Sequence, residues 1–205
     1  MPLATFQRKD QLGEIVIDSP PLNLFSQGLL ADLRAAVDEA AESDIRAMLL
    51  RAEGDDFSAG ADVSIFIGID EVRAKELAST VLSLVGAIED VPVPTVALVH
   101  GRCFAGALEL CLACDLIWAA EGSQIGQIEA VAGGIPYAGG TQRLASRIGT
   151  GSASTEVCSS PSTIPVRLGR SESGRCGRRW ITRKAFGRRE CRCSTRSSMP
   201  DSHRS

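Results

Sequence analysis

Thr95-Val-Ala-Leu-Val99-His-Gly-Arg-Cys-Phe-Ala-Gly106-Ala-Leu-Glu109-Leu-Cys-Leu-Ala-Cys-Asp115-Leu-Ile-Trp-Ala-Ala120 decides the fold class. The stretch opens with a short apolar run, Thr95 to Val99, that reads as a buried strand, and Leu116 to Ala120 reads as another. Between them a glycine-bearing loop turns into an apolar helix that carries Glu109. Strands alternating with helices imply crossover connections, and therefore a parallel component in the sheet. The loop also matters chemically. The first N–H groups of a helix lack an internal acceptor, the helix dipole favours negative charge there, and a glycine such as Gly106 lets a substrate oxygen come close to the backbone.

The same alternation extends upstream. Gly13-Glu-Ile-Val-Ile-Asp18 is a β-branched strand stopped at Ser19-Pro-Pro21. Leu29 to Ala41 sets Leu29, Leu30, Leu33, Ala36 and Val37 on one helical face. Ala47 to Leu50 reads as a buried strand, followed by the polar turn Glu53-Gly-Asp-Asp56. Asp70 to Val85 reads as a helix that ends before Pro92 and Pro94. The expected class is α/β.

Two glutamates stand out in apolar surroundings. Glu109 lies on the Leu, Cys and Ala helix, and Glu129 follows twenty positions later in Gln124-Ile-Gly-Gln-Ile-Glu129-Ala-Val. An ionised carboxylate taken out of water costs several kcal/mol, so such a position implies pairing or catalytic use. Taken singly, Glu109 also fits an ordinary ion-paired buried acid, and Glu129 a solvated turn residue. A second small-residue loop, Ser58-Ala-Gly-Ala61, follows a strand and could add another N–H donor to that of Gly106. Two convergent donors would make an oxyanion hole. With a carbonyl oxygen held there, an enolate becomes accessible, and two carboxyl groups can handle the protons, one activating water and one protonating the α-carbon.

Composition divides the chain near residue 150. The first 150 residues carry a net charge of −11 and are expected to be the folded part. Residues 151–205 hold 12 of the 22 Lys and Arg but only 4 of the 25 acids, a net +8, and are dominated by Arg, Ser, Gly and Cys. Such a segment buries too little apolar area to offset chain entropy, and it reads as disordered or as the product of a shifted reading frame. A basic arm for nucleic acid is the competing account, and no nucleic-acid partner is expected. Cys103, Cys111 and Cys114 fall in the apolar body and are expected to pack as small core residues. Cys111 and Cys114 form one CxxC without a second, so no metal site is expected. There is no signal-peptide pattern and no apolar run approaching ~20 residues, which gives an expectation of a cytoplasmic protein without a membrane partner. Asp115 is expected to be structural, Arg143 to form a surface or inter-motif ion pair, and His100 to be a satisfied core histidine. Phe57 and Tyr137 are expected to pack or to shape a pocket.

The four motifs, taken in order, resemble the enoyl-CoA hydratase or crotonase family from about residue 10 to residue 149. Phe57-Ser-Ala-Gly-Ala-Asp62 is similar to its first oxyanion loop, and Gly101-Arg-Cys-Phe-Ala-Gly106-Ala-Leu-Glu109 to its glycine-rich second motif. Gly126-Gln-Ile-Glu129 is similar to the third, and Gly133-Gly-Ile-Pro136 through Gly139-Gly-Thr-Gln-Arg143-Leu is the usual sequel. The resemblance implies a spiral of repeated ββα units and a reaction that adds water to 2-enoyl-CoA thioesters, of the fatty acid β-oxidation type. It implies Glu109 and Glu129 as catalytic groups, Ala61 and Gly106 as oxyanion donors, and Ala59, Gly60, Ala61 and Asp62 along the CoA path. Coenzyme A would be part of the substrate, with no separate cofactor. Ala105 and Ala107 stand where the family often has glycines. Past residue 150 the family's C-terminal helices, which the resemblance implies would build homotrimers or hexamers, are expected to be missing or replaced. Alternatives left open are a catalytically inactive remnant, a CoA-binding partner subunit, or another crotonase reaction such as isomerisation or thioester hydrolysis.

Overall fold

Four strands in parallel form the centre of the molecule: β2 (Leu12–Ile17), β3 (Ala47–Ala52), β4 (Thr95–Val99) and β6 (Leu116–Ala119). The computed structural model describes residues 1–151, residue 153 and the backbone of residues 179–182. β1 (Ala4–Lys9) pairs antiparallel with β2 at one edge, and β8 (Arg179–Thr182) pairs antiparallel with β6 at the other. The register aligns Ile15, Leu50, Ala97 and Ile117 across the four central strands, and all four are buried. β2 is buried on both faces from Gly13 to Ile17, whereas β3 and β4 alternate buried with partly exposed residues, so the aligned row marks the face turned to the core.

Each parallel strand begins a turn of a spiral. β2 leads to the extended residue Phe25 and then α1 (Gln27–Glu42), and β3 leads to Ser58–Ala61 and then α2 (Glu71–Asp90). β4 leads to β5 (Arg102–Phe104) and α3 (Gly106–Ala113), and β6 leads to β7 (Gln124–Gly126) and later α4 (Gly140–Ile148). The second segments of successive turns meet as a minor layer, through parallel bridges Phe25 to Ala61 and Ser58 to Cys103 and the β5–β7 pair. This is the repeated ββα spiral, a mixed α/β architecture.

Local chemistry starts the outer helices. Ser26 Oγ accepts from Leu29 N at 3.2 Å, and Asp70 Oδ1 accepts from Arg73 N at 2.8 Å, each satisfying one of the orphan donors of a first turn. The apolar face expected of α1 is the buried one, with Leu29, Leu30, Leu33, Ala36, Val37 and Ala40 all inside. α3 is different: Ala107 through Ala113 are all buried, because the helix runs between sheet and neighbouring helices. A helix apolar all round belongs in such a place, and Glu109 is the one charge on it.

Three features differ from the sequence reading. β1 was not expected; its outer half, Arg8 and Lys9, is exposed, so it lacks the apolar signal of a central strand. α2 continues to Asp90 rather than stopping at Val85, since Val85 and Ile88 are both buried on the face that faces the core. Four residues of the basic tail form β8; apart from Gly151 and Ala153, the remainder of that tail lies outside the described residues, and with it the expected disorder or frameshift origin of 151–205 and the replacement of the family's C-terminal helices. Among the described residues no helix is long and apolar enough to cross a membrane.

Candidate active site

Glu109 projects from the centre of α3 with 1% of its surface exposed. Its Oε1 accepts from Ala138 N at 2.9 Å and from Gly140 N at 2.8 Å. Gly140 is the first residue of α4, whose cap position is Gly139, without a capping side chain. Glu109 therefore does from another helix what a capping carboxylate does locally, and it sits at the positive end of α4. A Cβ at Gly140 would come within 2.8 Å of both Glu109 Oε1 and the terminal amide of Gln127, so only glycine lets the backbone approach this closely. Burial pushes the Glu109 carboxyl above the ordinary carboxylate range, opposed by the Gly140 and Ala138 amides and by the charge of Arg143.

Glu129 opens a 3₁₀ turn, Glu129–Ala132, and is half-buried. Burial, reinforced by the Glu109 charge, pushes its carboxyl up to about 7. Gln127, 2% exposed, directs its amide at this group: oriented by its hydrogen-bonding surroundings, Nε2 donates to Glu129 Oε2 at 2.9 Å and to Oε1 at 2.6 Å. Those bonds favour the charged form and work against the upward shift. Gln127 thus bonds to Glu129 and also closely approaches Gly140, the residue whose N–H is held by Glu109. The sequence reading did not single it out, because one amide in an irregular loop carries no periodic signal.

The two small-residue loops come together beside this pair. Gly60, at φ +99°, packs so that a Cβ there would lie 2.9 Å from Phe104 O and 3.7 Å from Gly106 N. Phe25 N donates to Gly60 O at 2.9 Å and Asp62 N donates to Phe25 O at 3.2 Å, which turns the intervening Ala61 N–H to the opposite side. Neither Ala61 N nor Gly106 N has an acceptor among the described residues. Both residues are partly exposed. Ala105, which precedes α3, has φ 51° and ψ −124°, a conformation that favours glycine and accounts for the glycine expected at this position. Two unclaimed amides next to two carboxyl groups of unlike environment can hold an anionic oxygen and move protons beside it.

Other expected residues resolve as follows. Asp62 Oδ1 accepts from Ser64 N at 2.9 Å, and Ala59 N donates to Leu22 O at 3.0 Å, so both are built into the first loop. Asp115 is structural: Oδ2 accepts from Thr95 N at 2.9 Å and from Thr95 Oγ1 at 3.0 Å, tying β6 to β4. Arg143 makes an ion pair, but neither on the surface nor between motifs: its Nη2 lies 2.6 Å from Oε2 of Glu89 on α2, and it also donates through Nη1 to Ala138 O at 2.8 Å. It therefore braces the loop whose amides hold Glu109. His100 is not a core residue; it is partly exposed, with Nε2 2.9 Å from Gly54 O, because it lies just past the end of β4. Phe57 is fully buried, whereas Tyr137 is 38% exposed on the Glu109-binding loop. Cys103, Cys111 and Cys114 are free and buried, and burial pushes the Cys114 thiol up to about 12.

A four-turn ββα spiral of this kind is the crotonase architecture. The sequence model of the family described as enoyl-CoA hydratase/isomerase matches residues 7–165, and the chain belongs to that family. It is 36% identical over 141 residues to a Bacillus subtilis protein described as "Probable enoyl-CoA hydratase", covering 68% of this chain and 55% of the relative. It is 38% identical over 130 residues to the mitochondrial methylglutaconyl-CoA hydratase of Mus musculus, covering 62% of this chain and 41% of that one. The chain thus spans about half the length of these curated relatives. Among solved structures, enoyl-CoA hydratase from Thermoplasma volcanium GSS1 superposes with a TM-score of 0.74 at 30% identity, over 77% of this chain and 64% of that one.

Proposed function

We propose that this chain hydrates 2-enoyl-CoA thioesters to 3-hydroxyacyl-CoA. The observation that carries the reading is the pair of unclaimed amides, Ala61 N and Gly106 N, beside Glu109 and Glu129. In this reading the thioester carbonyl oxygen rests between the two N–H groups, and the segment Ala59 to Asp62 lines the CoA path. No cofactor beyond the CoA of the substrate takes part.

The environments of the two glutamates suggest their division of labour. Glu109, held by two amides at the start of α4, is the ionised base that takes a proton from water as the oxygen bonds to C3. The C2–C3 π electrons move onto the thioester, giving an enolate whose oxygen the two amides stabilise. Glu129, with its carboxyl at about 7, delivers its proton to C2. Each carboxyl then regains its starting state by proton exchange, and dehydration runs the same steps with the roles exchanged.

The test is loss of enoyl-thioester absorbance on adding purified protein to crotonyl-CoA. Glu109→Gln and Glu129→Gln are each expected to lower kcat by about 10²-fold or more. Turnover equal to wild type in both variants would refute the roles. The family description also includes isomerases. Product analysis separates the two readings, since isomerisation conserves the substrate's mass whereas hydration adds one water.

A further inference from the structure

Asp56 stands one residue before the first loop and is 6% exposed, and its carboxylate is claimed three times by one residue of the second. Oδ1 accepts from Arg102 N at 2.7 Å and from Arg102 Nε at 2.9 Å, while Oδ2 accepts from Arg102 Nη2 at 2.6 Å. The fork geometry fixes both orientation and register, which a single charge contact would not. Gly101 makes this possible: at φ +52°, a Cβ there would meet Asp55 O at 2.1 Å and Asp56 Oδ1 at 2.7 Å. Main-chain bonds continue from the clamp, with Phe57 N donating to His100 O at 3.0 Å, Ser58 N to Arg102 O at 3.0 Å, and Phe104 N to Ser58 O at 3.1 Å.

Beyond Phe104 the two arms make no main-chain hydrogen bond to each other among the described residues. Each donor has its own local anchor, the Phe25 bonds around Ala61 and the Ala105 N to Gly126 O bond before Gly106, and the one side-chain clamp among the described residues that ties the two arms to each other lies at their root, where Asp56 is five residues before Ala61 and Arg102 four before Gly106. On the hydration reading above, we infer that the Asp56–Arg102 pair is a positioning device for the two oxyanion amides. Arg102 is 45% exposed at its side chain, so the pair contributes through geometry more than through a desolvated charge interaction.

The test combines kinetics with a spectroscopic readout, using the full chain. A 2-enoyl-CoA bearing a dimethylaminophenyl group at C3 absorbs further to the red when its thioester carbonyl is polarised. Wild type is expected to red-shift the bound probe and to turn over crotonyl-CoA. Asp56→Asn is expected to lose most of the red shift and about 10²-fold in kcat with KM little changed, as misplacement by about 1 Å produces. Arg102→Lys, which keeps the charge and loses the fork, should fall between. Glu14→Gln serves as the control for general destabilisation, since it breaks the ion pairs that tie β2 to Lys9 of β1 and to Arg51 of β3, and its red shift and kcat should match wild type. A full red shift and wild-type kcat in Asp56→Asn would overturn the inference while leaving hydration intact. Equal losses in Glu14→Gln would overturn it too, by reducing the effect to stability. Wild type that binds the probe without red shift and leaves crotonyl-CoA unchanged would instead sink the hydration reading.

Discussion

A carboxyl group held near pH 7 costs the fold something when it ionises. The raised Glu129 is protonated and neutral below the ordinary carboxylate range, and its contribution to stability is complete there; that contribution is lost as pH rises through about 7. Glu129→Gln removes the titration, so its melting temperature relative to wild type should rise between about pH 5 and about pH 8. The gain should be about 1 kcal/mol, because Glu129 is half exposed and solvent screens much of the shift. A difference independent of pH would contradict the raised pKa. In hydration kinetics the proton on Glu129 must be present, so kcat/KM should fall as pH rises through about 7, and this limb should vanish from the residual activity of Glu129→Gln. At this scale the sequence was informative where polarity clashed with its surroundings: Glu109 on an apolar helix was conspicuous, and Glu129 gained meaning beside it. Gln127, Asp56 and Arg102 were not singled out, because polar residues in loops are ordinary until their partners are known.

Among the elements, α3 carries the most constraint. It is enclosed on every side, its apolar surface fixes its depth, and that depth sets where Glu109 meets the start of α4. Its entry is strained at Ala105, where φ 51° forces a side chain into a conformation that costs about 1–3 kcal/mol for residues other than glycine. Ala105→Gly is therefore expected to stabilise the protein by about 1 kcal/mol net of unfolded-state entropy, seen as a rise in melting temperature of about 2–4 °C. A fall would mean that the Ala105 backbone is not in this conformation. Longer elements were readable because several turns or strand residues repeated the signal, as with the buried face of α1. β5 and β7 have three residues each, too few to establish a period, and exist because neighbouring turns of the spiral align them. The glycine loop was legible for the opposite reason: Gly101 and Gly106 mark where the backbone must turn or be approached closely.

At the scale of the whole molecule, the spiral supplies what no single turn contains. The first loop follows β3, the second follows β4, Glu129 follows β7, and the α4 amides that hold Glu109 come later still. Parallel stacking of the turns brings these loops to one end of the sheet, where ligands of α/β folds commonly bind. This assembly was legible only through resemblance, since strand order depends on tertiary pairing that periodicity does not encode. The central proposal is that two backbone amides stabilise a thioester enolate while Glu129 exchanges the proton at C2. Its most direct test is deuterium incorporation into the α-position of butyryl-CoA in D2O, a saturated substrate on which no water addition can occur. Wild type is expected to exchange the α-hydrogen and Glu129→Gln to lose that exchange; absence of exchange in wild type, or unchanged exchange in Glu129→Gln, would contradict the account.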